Sequence, residues 1–501
     1  MEITSVSYIL FVLLSVLVYW NIPFKYRWYI LLLDSLIFYF VNTQAYTFLY
    51  IIISVASVYG ATQYFESGRK NRKTVLILTL SINLIILVLL KYTNLFIGTV
   101  NYLCHENIEN VSWYASLAIS FYTLQIISYL LDCYWNVDYV EKNPLKLLLF
   151  TSFFPLMVSG PISQHAQLAP QLFEPREFCY ARVATGVRRI AWGIAKKVIV
   201  ADRLAVVVAY LFKDPDTFSG VWVMIAAVLF VVELYFDFSG CMDIVIGVSE
   251  CFGIALVENF KAPFLSRTVQ EIWQRWHITL GLWLKSYVMY PLLKSQVLLD
   301  FGSFCKKKLG KKAGKKVPVY AAMLVVWLLM GIWHGNSWKY VVGEGLWFWF
   351  VIVMEQILEP FSSKLRKVLH MGEDSKIWRM FQCGRTIILF SIGMIFFNST
   401  DLPAAIYMLS KIFVISDCVT PFKLLINNIG TEFGGKSALW SMGIICALQV
   451  FVDVKTYRNE SVQEILLHFP IAVRWLCYIG FVYLIILEGV FGKSSFIYFG
   501  F

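Results

Sequence analysis

The chain is expected to be an all-α, polytopic integral membrane protein with about ten to twelve membrane helices. Three observations predict this. Of its 501 residues 59% are hydrophobic and 15% charged, a balance far from that of soluble domains. Apolar runs able to cross a hydrocarbon core of roughly 30 Å recur along nearly the whole length. Lysines and arginines fall in alternate connections, as retention of basic loops on the cytoplasmic side requires. Segments in lipid must satisfy their own backbone polar groups, which makes them helical.

The net charge of +11 follows from those basic loops, so no nucleic acid partner is expected and membrane lipids are. Ten cysteines without a C-x-x-C pair indicate neither a metal site nor a disulfide framework. Met1 to Trp20 has an apolar run but no basic leader or small-residue cleavage site, so it reads as a retained first helix.

Segments near 5–20, 28–43, 46–64 and 74–92 come first, with Lys25 and Arg27 in one connection and Arg69, Lys70, Arg72 and Lys73 in another. Both connections are expected inside, which places the N-terminus and the acidic stretch with Glu106 and Glu109 outside. A helix near 115–133 follows. Next comes Ser152 to Ile162, an apolar run broken by Pro155, Gly160 and Pro161. Broken backbone at membrane depth survives only against protein or a water-filled cavity, so this is a candidate re-entrant element, with a loop dipping into headgroups as the other reading.

Arg182, Arg188, Arg189, Lys196 and Lys197 lie on helical spacing, which predicts an amphipathic helix at the inner surface. The next helix carries Glu233, Asp237 and Asp243 in apolar surroundings, and the nearest downstream partners for its carboxylates are Arg267 and Arg275. Structural pairing is the first reading of such residues and a polar path the second.

Trp273, Trp276 and Trp283 surround His277; so dense a set of tryptophans marks an interfacial belt or an aromatic wall. Seven lysines between Lys306 and Lys316 form the most basic loop, expected to be cytoplasmic and to face lipid headgroups. From it a helix over Val317 to Trp333 rises to Gly331-Ile332-Trp333-His334-Gly335-Asn336-Ser337-Trp338. An imidazole at membrane depth costs free energy unless partners, water or a ligand compensate, so His334 is either a helix-end residue satisfied by backbone or a functional group. Helices near 385–398, 438–453 and 473–490, and a short surface helix in 401–413, complete the chain.

These patterns leave a membrane-embedded enzyme and a transporter both standing. The transporter reading finds no internal repeat and no phosphate-binding G-x-x-x-x-G-K-[ST] loop.

In order, Phe153-Phe154-Pro155 with Gly160-Pro161-Ile162, Tyr235 to Gly240, Glu258-Asn259-Phe260, Pro263 to Arg267, Trp273 to His277, Gly331 to Gly335 and the terminal Phe496 to Phe501 resemble the membrane-bound O-acyltransferase family. Pro170-Gln171-Leu172 and the C-terminal part are most similar to its alginate O-acetylation branch, with the teichoic acid D-alanyl transferases second. Asn398-Ser399-Thr400-Asp401 stands where that first branch often carries an arginine, so alginate is not carried over as the substrate.

The resemblance implies one membrane domain over 1–501, with N-terminal helices (1–140), a core bearing the motifs (145–360) and C-terminal helices (361–501) around a central tunnel. It implies His334 and His277 as catalytic residues. Trp273, Trp276, Asn336 and Trp338 are then expected to line the tunnel, with Asp237 and Arg275 holding its shape. The implied activity is transfer of an acetyl or other short acyl group toward hydroxyls of an exported polysaccharide in a bacterial cytoplasmic membrane. The implied donor is acetyl-CoA or an acyl-carrier thioester, with no bound cofactor or metal, and the implied partner is a separate extracytoplasmic acetyltransferase. D-alanyl transfer, or transport of an acyl donor or lipid-linked glycan, are the alternatives.

Overall fold

The computed structural model describes residues 1–113, 117–136, 140–372, 375–414, 419–428, 433–492 and 496–497. Tyr498 to Phe501, part of the terminal motif, lie outside the described residues. The protein is 80% helical, and among the described residues there are no strands. Among the described residues eight helices are long and apolar enough to cross a membrane, and Val6–Asn21 and Leu402–Phe413 are shorter apolar helices. The chain is thus an all-α polytopic membrane protein.

Its contacts group into two compact units. The first, Met1–Ile194 with Phe238–Glu258 and Phe491–Phe501, is built from α1 (Val6–Asn21), α2 (Phe24–Asn42), α3 (Phe48–Glu66), α4 (Arg72–Lys91), α5 (Thr93–Cys104), α6 (Ile119–Trp135), α7 (Pro144–Ser152), α8 (His165–Phe173) and α9 (Tyr180–Ala195). After α10 (Asp202–Lys213), the 31-residue α11 (Val221–Cys251) contributes its C-terminal part to this unit. On α1 only Tyr8, Val12, Ser15 and Tyr19 are buried, one stripe at helical spacing, while Leu10, Leu13, Leu14 and Leu17 are exposed. On α4 the buried stripe includes Thr79 and Asn83. Polar groups inside and leucines outside is the arrangement a lipid solvent selects.

Ser152 to Ile162 forms buried, largely non-helical backbone after α7, with Phe153 and Phe154 fully buried. The Phe154 amide donates to Ser35 Oγ at 3.0 Å, one of the outside partners that such broken backbone needs.

Two glycine pairs bring α9 and α11 into backbone contact. A Cβ on Gly186 would lie 2.5 Å from the Gly247 carbonyl oxygen, and one on Gly193 would lie 2.5 Å from that of Gly240. Between them Arg189 reaches Asp243 at 3.0 Å and forks onto Glu258 at 2.7 and 2.6 Å. Close approach and a multiply bonded guanidinium together fix this crossing.

The second unit, Ala195–Asp237 with Asn259–Val490, holds α10, the first part of α11, then α12 (Val269–Arg275), α13 (Ile278–Leu284), α14 (Tyr290–Leu293), α15 (Gln296–His334), α16 (Trp338–Tyr340), α17 (Phe348–Val368), α18 (Lys376–Asn398), α19 (Leu402–Ser410), α20 (Val419–Asn428), α21 (Gly435–Tyr457), α22 (Val462–Leu467) and α23 (Ile471–Glu488). Helix α15 changes direction at Gly310, whose φ of 86° is left-handed. Its lysines, Lys306 to Lys316, are exposed on either side of that turn. Among the described residues of this unit three segments are π-helical, Lys196–Ala201, Lys285–Met289 and Val341–Trp347.

The first π segment corrects the expected surface helix. Of the basic residues on that spacing Arg182 is exposed, Arg188 and Arg189 are half-buried, and Lys196 and Lys197 are buried. A π turn takes more residues than an α turn, so the face predicted from 3.6-residue spacing rotates inward there. Lys197 Nζ bonds Asp202 at 2.9 Å and Asp237 at 2.6 Å. Asp237 therefore pairs with this lysine rather than with Arg267 or Arg275, and Arg275 pairs instead with Glu271 one turn back at 2.9 Å.

Candidate active site

His334 is the last residue of α15, and it is 1% exposed. The two glycines around it have a steric reason. A Cβ on Gly331 would lie 2.6 Å from the Tyr340 carbonyl oxygen, and one on Gly335 would lie 2.3 Å from the Tyr340 ring. Their absent side chains let the segment after α15 fold back against the helix end. That fold-back brings the π segment Val341–Trp347 alongside and places Glu344, fully buried, next to the histidine.

His334 Nδ1 lies 3.0 Å from the Met330 carbonyl oxygen and 3.4 Å from Glu344 Oε2. A carbonyl only accepts, so this contact puts the proton of a neutral imidazole on Nδ1 and leaves the lone pair on Nε2. The ring packs edge-on against Trp333 at 5.1 Å and Phe397 at 5.8 Å. Lys339 Nζ, also buried, donates to the carbonyls of Phe397 and Ser399 at the end of α18. A cation there satisfies carbonyls that the helix itself cannot, and it anchors the phenylalanine that walls the histidine.

His277 sits between α12 and α13 with φ +48° and ψ +49°. A left-handed backbone costs a non-glycine residue roughly 1–2 kcal/mol, which the surrounding bonds offset. Asn259 supplies them: its Oδ1 accepts from the Thr279 amide at 3.0 Å and the Thr279 hydroxyl at 2.9 Å, while its backbone oxygen accepts from Ile278 at 3.1 Å. Because the Thr279 amide can only donate, the Asn259 side chain is oriented and its Nδ2 faces His277 Nδ1 at 3.2 Å. Nδ2 is the nearer of the two amide atoms to Nδ1, with Oδ1 at 3.4 Å, and as a donor it favours acceptance at Nδ1 with the proton on Nε2. Burial first, and then the neighbouring His334, hold the His277 imidazole well below its ordinary pKa.

The two histidines thus have opposite tautomers, and Trp333 contacts both, at 5.5 Å from His277 and 5.1 Å from His334. One ring holds a lone pair on Nε2, the other a donor.

The remaining predicted residues are placed as follows. Trp273 packs against Trp327, Phe348 and Phe390, and the buried Trp276 against Phe260 and Phe390, so both belong to an aromatic wall. Asn336 and Trp338 are exposed, unlike the histidine they follow. Asp237 is held by Lys197, and Arg275 lies between Glu271 and the face of Tyr457. Among the described residues no group of three His, Cys, Asp or Glu side chains is placed to hold a metal.

Glu344, Asn259 and Lys197 received no role from sequence. Glu344 carried a usable signal, since it is an acid between two glycines in an apolar run and so meets the criterion that singled out His334.

The sequence model of the membrane-bound O-acyltransferase family matches residues 28–304, a span that includes His277 and ends before His334. The chain is 29% identical to the peptidoglycan O-acetyltransferase of Helicobacter pylori over 67% of its own length and 63% of that protein's, so it spans less than two thirds of that relative. It is 27% identical to the probable alginate O-acetylase AlgI of Azotobacter vinelandii over 83% of this chain and 78% of that one. It is 28% identical to the teichoic acid D-alanyltransferase of Bacillus subtilis over 45% of this chain and 55% of that one. With more than half of its length matched by the family, this multi-pass membrane protein belongs to the membrane-bound O-acyltransferases.

Proposed function

We propose that the protein moves an acetyl or other short acyl group from a cytoplasmic thioester, acetyl-CoA or an acyl-carrier thioester, toward hydroxyls of an exported or cell-surface polysaccharide in a bacterial cytoplasmic membrane. The observation that carries the chemistry is the Nδ1 contact of His334, which leaves Nε2 as the basic nitrogen. An acceptor hydroxyl is a poor nucleophile, and a base that takes its proton during attack raises the rate by about 10²–10⁴-fold. Nε2 accepts that proton as the hydroxyl oxygen bonds to the thioester carbonyl carbon. The C–S bond then breaks, and the imidazolium returns the proton to the departing thiolate. Buried aromatic rings around both histidines keep competing water from the thioester. His277, with its Nε2–H, provides a donor suited to the oxygen that gains charge during attack.

Acetyl transfer is favoured over D-alanyl transfer because the matches to O-acetylating relatives cover more of this chain than the match to the D-alanyl transferase. A separate extracytoplasmic acetyltransferase completes delivery to the polysaccharide in this reading. Mass analysis of surface glycans from cells with and without the protein tests it, together with a radiolabelled acetyl-thioester assay in membrane vesicles. Ester-linked acetyl groups are expected to disappear with the protein. Loss of D-alanyl esters, or no change in either, contradicts the reading.

A further inference from the structure

We propose that Glu344 is a positioning residue for His334, one that supplies the counter-charge of the imidazole while Nε2 holds the proton of the acceptor hydroxyl. This rests on the reading of His334 as the base. Glu344 is fully buried, and neither of its carboxyl oxygens has a hydrogen-bond partner among the described residues. Its Oε2 is 3.4 Å from His334 Nδ1, which is within charge contact. Burying an acid without a hydrogen bond is costly, so its place beside the histidine calls for an explanation.

The backbone is built to hold it there. Glu344 lies within the π segment Val341–Trp347, and π turns are inferior in geometry to α turns and cluster at functional positions. On one side of it Gly343 leaves no room: a Cβ would lie 2.2 Å from Phe396 Cβ. On the other, Gly345 faces the backbone of Trp327 at 3.1 Å from the same construction. The main chain is therefore pressed between α15 and α18 on both sides of the acid, and the carboxyl is delivered against the end of α15.

In the resting state the Nδ1 proton goes to the nearer Met330 carbonyl. Once Nε2 takes the hydroxyl proton, the ring carries a positive charge in a site from which water is excluded, and a carboxylate beside Nδ1 stabilises that form specifically. The proton goes from hydroxyl to Nε2 to thiolate, and Glu344 neither gains nor loses one over the cycle. Its effect is thus on the rate of the chemical step and passes through His334.

The test uses the full chain in membrane vesicles, with acetyl transfer measured per inserted molecule. E344Q keeps the size and removes the charge, and it is expected to lower kcat by about 10- to 100-fold, the range seen when the supporting partner of a metal-ligating histidine is removed, with KM within about twofold. E344D is expected to restore part of the loss. H334Q/E344Q is expected to be no slower than H334Q, because a residue that acts only through His334 has nothing left to act on. Wild-type kcat in inserted E344Q overturns the proposal, as does a further loss in the double variant beyond H334Q. If H334Q itself transfers normally, the base assignment falls, which is a separate result from a silent E344Q.

Discussion

Replacing Asn259 by aspartate separates the fold of the His277 loop from the tautomer of its ring. The substitution keeps the oxygen that accepts from the Thr279 amide and hydroxyl at 3.0 and 2.9 Å, so the left-handed turn at His277 retains its support. It replaces the Nδ2 donor, 3.2 Å from His277 Nδ1, with a second acceptor. The ring then gains by moving its proton to Nδ1, and Nε2 loses its donor. N259A removes these three bonds, to the buried Thr279 amide and hydroxyl and to His277 Nδ1, and the loss of a buried polar group's hydrogen bond costs about 1–3 kcal/mol. N259D is therefore expected to keep a detergent-solubilised melting temperature near that of the wild type. N259A is expected to lose several degrees, since about 1 kcal/mol corresponds to roughly 2–4 °C in larger domains. If His277 acts as a donor, N259D lowers kcat at least about tenfold, the equivalent of about 1.4 kcal/mol. Nitrogen-15 shifts of the imidazole read the tautomer directly. An N259D protein with wild-type kcat and a proton on Nδ1 would refute the functional use of that tautomer.

Three further outcomes follow from the packing. G193A places a methyl group 2.5 Å from the Gly240 carbonyl, and it is expected to cost about 1–3 kcal/mol of stability as the helices separate, read as a lower melting temperature in detergent. R189Q leaves Asp243 and Glu250, both largely buried, without their cation; breaking such a network costs up to about 3–5 kcal/mol, and the exposure of Glu258 makes the loss smaller. Trypsin susceptibility of the solubilised protein reports it, with R189K intermediate. His165 lies against Tyr129 and Phe150, and burial lowers its pKa from 6.5 to about 4. The unfolded chain binds that proton first, so stability falls as pH drops from about 6.5 toward 4, by on the order of 3 kcal/mol. H165F is expected to flatten the melting temperature against pH in that window, and an unchanged slope contradicts the assignment.

The membrane class and most of the helices were legible because a lipid solvent writes itself into apolar runs and alternating basic loops. His334 was legible for a related reason, as an ionisable group where apolar residues dominate. Its partner was not. Glu344 obeys the same rule, yet its approach to His334 depends on a fold-back between glycines and on a π turn, neither of which has a one-dimensional signature. Asp237 shows the same limit: Arg275, 38 positions downstream, and Lys197, 40 positions upstream, are about equally distant in sequence, and only the fold selects the lysine. Lys197 itself was misplaced because a π turn shifts the register that α-helical spacing assumes. Asn336 and Trp338 were grouped with His334 by adjacency, and after the turn at Gly335 both are exposed where His334 is buried.

Everything in the chemistry depends on His334 acting as the base through Nε2. H334Q, inserted at wild-type levels, is to be compared with the wild type for acetyl transfer from a thioester in vesicles and for ester-linked acetyl groups on surface glycans. A loss of about 10²–10⁴-fold per inserted molecule is predicted. Transfer at the wild-type rate by the inserted H334Q protein would contradict the account.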